Sequence, residues 1–173
     1  MKASRDTVAA MKVRPATQQD LPDILRMLFQ DQATPSDELA PDAPCYAEAL
    51  REMQASGTNL TYLAELDSRV VGTFMLTCIR HLLRQGSLIA QIEAVRVDAP
   101  MRGRGLGGEM MRWAIQEARR RGCSRVQLTT NNVRKDAHRF YERLGFRATH
   151  LGMKLPLDGP AQTPRGGPMR PTG

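Results

Sequence analysis

The sequence predicts a single mixed α/β domain in which helices flank a central β-sheet. Its 173 residues fit one domain of ordinary size, and 41% hydrophobic with 25% charged residues is typical of a globular chain rather than a disordered one. Stretches with a hydrophobic period of two alternate with stretches of period 3.6, which separates strands from helices. The resulting order is strand, two helices, three strands, helix, strand, helix and final strand.

Caps and turns define the elements of the first half of the chain. Asp20 precedes Pro22, so it is placed to cap a helix that begins at Leu21. The pair Asp67 and Ser68 separates two strand-like runs and predicts a hairpin turn. The predicted segments are a leader at 1–11, a strand at 12–15, a helix from 21, a proline- and acid-rich loop at 32–44, a helix at 46–54, and strands at 59–66, 70–79 and 87–97.

Periodicity and glycines define the second half. One amphipathic helix ends at Gly122 and another at Gly145, as expected for residues that readily adopt a positive φ. The predicted segments are a helix at 106–121, a strand at 125–130, a helix at 134–144, and one or two strands within 146–157. Residues 158–173 contain four Pro and four Gly, which predicts a disordered tail, so the domain spans 12–157.

Charge and cysteine usage narrow the functional classes. The net charge is +7, with 13 basic and five acidic residues in 96–147, while 27–50 holds five acids and no Lys or Arg. The second half therefore predicts a polyanion site, and the first half tolerates a cation. No apolar run approaches the roughly 20 residues of a membrane span, and the N-terminus lacks the apolar core of a signal peptide. Three distant cysteines predict free thiols in a cytoplasmic protein, and the three histidines have no metal-ligand spacing.

The most informative motif is the glycine-rich turn between the strand at 87–97 and the helix at 106–121. The first N–H groups of a helix have no intrahelical partner and carry partial positive charge, and glycines allow an anion to approach the backbone. Flanking arginines add charge-assisted donors. The turn therefore predicts a phosphate or pyrophosphate site, and its residues are Arg102, Gly103, Arg104, Gly105, Leu106 and Gly107.

Two other nucleotide-binding motifs do not fit this turn. A Walker A loop requires a Gly-Lys pair, and the sequence has none. The Rossmann spacing G-x-G-x-x-G is present at Gly103, Gly105 and Gly108, but the next predicted strand ends without the acid that would bind a ribose.

The turn is similar to the Arg/Gln-x-x-Gly-x-Gly/Ala signature of the GNAT superfamily of acetyl-CoA-dependent N-acetyltransferases. Residues 131–146 resemble the second signature of those enzymes, 92–97 their central strand and 14–21 their opening segment. The resemblance covers roughly residues 12–157. It implies a GNAT-like acyl-CoA N-acyltransferase fold, with a mostly antiparallel mixed sheet flanked by helices, and acetyl-CoA as the cosubstrate.

The resemblance also implies roles for individual residues. Backbone amides of the glycine-rich turn would bind the pyrophosphate of acetyl-CoA. Val95 and Val97 would pair with the pantetheine arm like an added strand, and Asn131 would contact the same arm. Ala137 lies in the second signature and belongs to the same cofactor-binding set. Tyr141 would lie near the thioester sulfur as a general acid.

The chemistry of N-acetylation requires a base as well. A free amine is largely protonated at pH 7, so a carboxylate must accept its proton directly or through water. Strict alternation along the strand at 87–97 predicts that Glu93 shares a face with Val95 and Val97, and Glu93 is the candidate base. In the alternative interpretation, Tyr141 is a core residue and Glu93 a structural acid paired with an arginine.

The acceptor is predicted to be a small primary amine, and the acid-rich segment 31–48 favours a cationic one. Three alternatives stay open: a protein-lysine acetyltransferase, a non-catalytic acyl-CoA-binding protein, and a nucleic-acid-binding module. The last lacks any helix-turn-helix, zinc-finger or RRM signature and has few aromatic residues for stacking. A homodimer that pairs its final strands also stays open. His138 is predicted to be exposed to solvent.

Overall fold

The computed structural model describes residues 10–30 and 40–155. Within them, one five-stranded sheet has the order β1-β2-β3-β4-β5. The strands are β1 (Lys12–Pro15), β2 (Asn59–Leu66), β3 (Arg69–Arg80), β4 (Leu88–Val97) and β5 (Cys123–Leu128). The helices are α1 (Leu21–Phe29), α2 (Pro44–Ser56), the single turn α3 (Leu83–Gly86), α4 (Leu106–Arg120) and α5 (Lys135–Arg143).

The sheet is mixed and mostly antiparallel, as the sequence predicts. β1 to β4 pair antiparallel, whereas β5 runs parallel to β4. The β2–β3 hairpin turns at Asp67 and Ser68, whose φ angles of 50° and 61° are those that a two-residue turn of the primed type requires. The parallel pairing of β5 follows from the crossover through α4, which returns the chain to the same end of the sheet.

Two hydrophobic cores lie on opposite faces of the sheet. On one face, α1 and α2 bury Ile24, Met27 and Leu50 against Leu63 of β2. On the other face, α4 packs Met110 and its apolar neighbours against residues of β2, β3 and β4. The helices therefore lie on both faces of the sheet, and strands β3 and β4 contact both helical layers.

Gly72 on β3 allows α4 to approach the sheet closely. A Cβ at this position would lie 2.8 Å from Cε of Met110 and 2.9 Å from the carbonyl oxygen of Arg96. Both distances are shorter than van der Waals contact, so only glycine fits here without a shift of the neighbours.

Most predicted elements are confirmed within two residues of their predicted bounds, but the final strand is wrong over 146–155, which contains none. Leu151, Met153 and Leu155 alternate as a strand requires, yet they are 79%, 90% and 83% exposed. An apolar alternation forms a strand only when a neighbour supplies hydrogen bonds, and no described strand does so. Residues 1–9 of the leader, 31–39 of the loop, 156–157 and the tail at 158–173 lie outside the described residues.

None of the described helices is long and apolar enough to cross a membrane. The described part of the chain also contains no group of three or more His, Cys, Asp or Glu side chains arranged to hold a metal ion.

Candidate active site

The glycine-rich turn connects β4 to α4 through backbone conformations that favour glycine. Gly103 has a φ of 77°, and Gly105, which caps α4, has a φ of 81°. The carbonyl oxygen of Gly105 accepts the N–H groups of Gly108 at 3.0 Å and Glu109 at 3.2 Å. The predicted strand, turn and helix are therefore confirmed at this place.

The turn leaves a row of backbone donors at the start of α4. The N–H groups of residues 103–107 donate to no acceptor among the described residues. No atom of the described residues lies within 4 Å of the positions that a Cβ of Gly103 or Gly105 would occupy. Open space above unpaired donors at a helix N-terminus is the arrangement that binds phosphate groups.

Neighbouring elements close around this turn. A Cβ on Gly107 would lie 3.6 Å from Cγ2 of Val97 and 3.7 Å from Cζ of Phe140, so β4 and α5 both meet α4 at its first turn. Arg102 and Arg104 are exposed beside the turn. Nε of Arg102 donates to the carbonyl oxygen of Val97 at 3.1 Å, which holds one guanidinium at the end of β4.

A β-bulge interrupts β4 next to the turn. Met75 of β3 pairs with Glu93, but Thr73, two residues away, pairs with Arg96, three residues away. β4 thus contains one residue more than its partner. Ala94 lies at the bulge, and its φ of 51° is an uncommon conformation for a residue with a Cβ.

The bulge changes which residues of β4 share a face of the sheet. Val95 and Val97 pack against the α4-side core together with Ile92. Glu93 lies on the opposite face, which it shares with Arg96 and the α1 and α2 helices. The prediction that Glu93 shares a face with the two valines was wrong, because strict alternation does not account for the residue inserted at the bulge.

The two predicted catalytic side chains have different surroundings. Glu93 is exposed, and it makes no ion pair with any described residue, so the salt-bridge alternative finds no support there. Tyr141 is half-buried on α5, with its ring centroid 5.1 Å from that of Phe140 and 5.9 Å from that of Phe146. Burial raises the pKa of the Tyr141 hydroxyl above its usual value of 10, although nearby Arg134 opposes this shift.

The loop between β5 and α5 is fixed by Asn131. Its Oδ1 accepts the N–H of Val133 at 3.1 Å, and its carbonyl oxygen accepts the N–H of Arg134 at 3.0 Å. Nε2 of His138 also lies 3.0 Å from that carbonyl oxygen. His138, predicted to be exposed to solvent, is partly exposed, and Ala137 beside it is half-buried on α5.

A buried carboxylate directly after β4 was not among the residues predicted from the sequence. Asp98 is 1% exposed, and it accepts hydrogen bonds from Arg26 at 2.7 Å, Gln30 at 3.0 Å and Arg69 at 3.4 Å. The hydrogen bond from Arg26 is the main reason that its pKa falls to about 2. Oε1 of Gln30, the residue after α1, in turn accepts the N–H of Ala99 at 3.3 Å. These hydrogen bonds connect the end of α1 to the segment that leads into the glycine-rich turn. The sequence signal that could have identified Asp98 is an acidic residue directly after a buried strand.

A crevice of about 300 Å³ lies between α1, α2 and the sheet. Most of the described residues that line it are apolar, including Phe29, Tyr46 and Met75, and the charged one among them is Arg96. The acidic segment 31–48 was predicted to face a cationic acceptor. Residues 31–39 lie outside the described residues, and the two described acids of that segment are exposed rather than in the crevice.

Comparisons with known proteins match these features. Residues 23–146 match the model of the acetyltransferase (GNAT) family. The aminoalkylphosphonate N-acetyltransferase of Salmonella typhimurium is 32% identical over 155 residues, which cover 87% of this chain and 94% of that protein. Glucosamine 6-phosphate N-acetyltransferase 1 of Oryza sativa is 31% identical over 125 residues, which cover 68% of this chain and 74% of that protein.

Solved structures share the fold. A transcriptional regulator from Bacillus halodurans has a TM-score of 0.77 and 36% sequence identity, and the match covers 86% of this chain and 100% of that one. An acetyltransferase from Trypanosoma brucei has a TM-score of 0.70 and 27% identity, with coverage of 86% and 100%.

Proposed function

Because this chain belongs to the acetyltransferase (GNAT) family, we propose that it transfers an acetyl group from acetyl-CoA to the primary amine of a small molecule. The observation that carries this proposal is the row of unpaired backbone N–H groups at residues 103–107, which opens onto free space at the N-terminus of α4. Such a row suits a pyrophosphate, and CoA contains one.

The residues around the turn suit the rest of the cosubstrate. Backbone amides of the turn would bind the pyrophosphate, and Arg102 and Arg104 would add positive charge at its edge. Val95 and Val97 would pair with the pantetheine arm through their backbone groups. Asn131 uses its Oδ1 within its own loop, so its amide NH₂ is the group that would donate to the same arm. Ala137 would line this part of the site.

The proposed reaction is direct attack of the amine on the thioester. Glu93 accepts a proton from the ammonium form, directly or through a water molecule, and the neutral amine forms the new C–N bond. The C–S bond of the tetrahedral intermediate breaks, and the CoA thiolate takes a proton from the hydroxyl of Tyr141. The nitrogen loses its second proton as the amide forms, and a proton from solvent restores the Tyr141 hydroxyl. The position of Glu93 supports this role, since the bulge at Ala94 turns it to the face of the crevice and away from the face of the valines.

The raised pKa of Tyr141 supports its role as the acid. A general acid must carry its proton at the working pH, and burial of the ring disfavours the phenolate. The hydroxyl therefore stays protonated at neutral pH and can donate to a thiolate as it leaves.

The size of the acceptor is supported by two observations. The crevice of about 300 Å³ suits a small molecule rather than a peptide segment. The relatives named above act on an aminoalkylphosphonate and on glucosamine 6-phosphate, which are small amines with an anionic phosphorus group. Neither relative supports the cationic acceptor that the acid-rich segment 31–48 predicted.

We also propose that the protein is a homodimer. The alternating apolar side chains Leu151, Met153 and Leu155 are exposed, and β5 is the last strand of the sheet. A second copy would supply the strand partner that these residues lack within the described chain. Light scattering after size exclusion would give a dimer mass, and serine at these three positions would shift it toward the monomer; a wild-type monomer at high concentration would contradict the proposal.

A thiol-release assay against a panel of amines tests the enzymatic proposal. The free thiol of CoA should appear with acetyl-CoA and a small primary amine, at a rate well above hydrolysis without amine. The acetylated amine should appear in equal amount by mass spectrometry. If neither product forms with any amine, and CoA does not bind at millimolar concentration, the proposed function is wrong.

A further inference from the structure

We propose that the acceptor is a small amphipathic amine that also carries an oxyanion. Its apolar body would occupy the crevice between α1, α2 and the sheet, and Arg96 would bind its carboxylate or phosphonate. Its amine would then face Glu93. This inference rests on the proposed acetyl transfer and deepens it by naming the substrate class.

The described residues that line the crevice are mostly apolar. Its floor is buried core, since Ile24, Leu25 and Leu50 are each about 4% exposed or less. Its walls include the rings of Phe29 and Tyr46, which meet edge to face at 5.9 Å. A polyamine or a sugar would place polar groups against this apolar surface. A phenyl or branched alkyl group would instead displace water from it and bury apolar surface.

The crevice also contains a positive charge. Arg96 is half-buried, and it is the charged one among the described residues that line this space. Nη1 of Arg96 donates to the carbonyl oxygen of Val95 at 3.0 Å, which fixes the guanidinium next to the bulge. A guanidinium fork binds carboxylate or phosphonate oxygens in pairs, and its low-dielectric surroundings strengthen the attraction.

Arg96 also lies next to residues of the proposed thioester site. It stands between Val95 and Val97 on β4, and both valines pack against the same core as Tyr141. The charge of Arg96 also lowers the pKa of Tyr141, against the larger effect of burial. An anion bound at Arg96 would therefore lie beside the place where the thioester is proposed to react.

The bulge sets the spacing between Glu93 and Arg96. Glu93 and Arg96 pair with Met75 and Thr73, which are two positions apart on β3. Two positions along a strand span roughly 6–7 Å, so both side chains leave the same face at that separation. A molecule with an amine and an oxyanion a few bonds apart can contact both, while a protein lysine or a simple alkylamine lacks the second group.

The test compares five amines with the wild-type enzyme. L-phenylalanine and its phosphonate analogue carry both features. 2-Phenylethylamine lacks the anion, 2-aminoethylphosphonate lacks the apolar body, and spermidine lacks both. We expect kcat/KM for at least one of the first pair to exceed that of each other amine tenfold or more, and the ratio within the pair distinguishes carboxylate from phosphonate recognition. A preference for 2-phenylethylamine or spermidine would overturn the proposal.

Variants of Arg96 separate recognition from folding. Arg96→Gln should raise KM for the preferred anionic amine at least tenfold and leave KM for 2-phenylethylamine and the Kd of CoA within twofold. Arg96→Lys should restore part of the loss. Arg125→Gln, which removes an exposed arginine on β5, is the matched control and should change neither. Equal losses for both amines would overturn the role of Arg96.

The outcomes also separate the two proposals. If the wild-type protein binds CoA and acetylates amines without the expected preference, only the substrate class is wrong. If it neither binds CoA nor releases thiol with any amine, the proposed function is wrong and this inference with it.

Discussion

Oδ1 of Asp98 accepts a hydrogen bond from Nη1 of Arg26 at 2.7 Å, and this pair connects helix α1 to the residue after β4. The carboxylate is buried at 1% exposure, whereas the arginine is partly exposed. The backbone of Asp98 is fixed as well, because its N–H donates to Val71 at 2.9 Å and its carbonyl oxygen accepts from Met101 at 2.8 Å. Asp98 thus sets the position of the chain as it enters the glycine-rich turn.

Asp98→Asn should therefore weaken both the fold and the binding of CoA. Loss of the charge-assisted hydrogen bonds should lower the free energy of unfolding by about 2 kcal/mol. A less well-fixed turn should raise the Kd of CoA at least fivefold. Urea unfolding and isothermal titration measure the two effects.

Glu117→Gln is the matched control for this variant. Glu117 is also a buried carboxylate, paired with Arg120 and Arg121 at 2.7 Å, but it lies at the opposite end of α4. The Glu117→Gln variant should lose about as much free energy of unfolding as Asp98→Asn, and its Kd for CoA should stay within twofold of the wild-type value. An equal rise in Kd for both variants would mean that Asp98 acts only through global stability.

Stability should fall steeply in acid. Asp20, Asp98 and Glu117 each have a pKa lowered to about 2, chiefly by hydrogen bonds from arginines. The unfolded chain takes up these protons near pH 4, before the folded chain does, so the stabilisation is present above that pH and is lost as the pH falls toward 2. Urea unfolding at pH 7, 5, 4 and 3 should give similar values at the first two and lower values at the others. A variant with amides at all three positions should show a much flatter dependence, and an unchanged slope would contradict the assignment.

Tyr141→Phe should lower kcat on the order of 10²-fold and leave the Kd of CoA within twofold, because it removes a proton donor and keeps the ring. Tyr62→Phe is the matched control. The Tyr62 hydroxyl accepts a hydrogen bond from Arg121 at 2.8 Å, away from the glycine-rich turn, so its loss should reduce stability without lowering kcat. Full activity of Tyr141→Phe in steady-state assays would remove this tyrosine from the chemistry.

Gly105→Ala should destabilise the protein by about 1–2 kcal/mol, since a residue with a Cβ is strained at a φ of 81°. Gly107→Ala should stay within about 0.5 kcal/mol of wild type, because Gly107 lies inside α4 and its added Cβ would meet neighbours at 3.6 Å or more. Thermal unfolding of the two variants compares them directly. Equal stabilities would show that the turn does not need its left-handed conformation.

The turn could be predicted from the sequence because its determinants are local. Glycines at 103 and 105 supply the positive φ angles, and the amphipathic pattern from Leu106 onward defines the helix that follows. Both signals lie within a few residues of the structure that they specify. The same holds for the hairpin at Asp67 and Ser68.

The site around the turn depends on contacts distant in sequence. The bulge at Ala94 is defined only by its pairing with β3, and it moved Glu93 to the other face. Asp98 acquires its role from Arg26, 72 residues earlier. The apolar alternation at Leu151 and Met153 predicted a strand, but a strand also needs a partner, which a local pattern does not supply.

The binding of CoA to the glycine-rich turn is tested most directly by isothermal titration of the wild-type protein and the pair Arg102→Ala/Arg104→Ala. The wild-type protein should bind CoA and acetyl-CoA in the micromolar range. The double variant should bind at least tenfold more weakly and lose only a small part of its thermal stability, because both side chains are exposed beside the turn, where the hydrogen bond from Arg102 to Val97 contributes little. Absence of heat with wild type at millimolar ligand, or equal affinity in the double variant, would contradict the account.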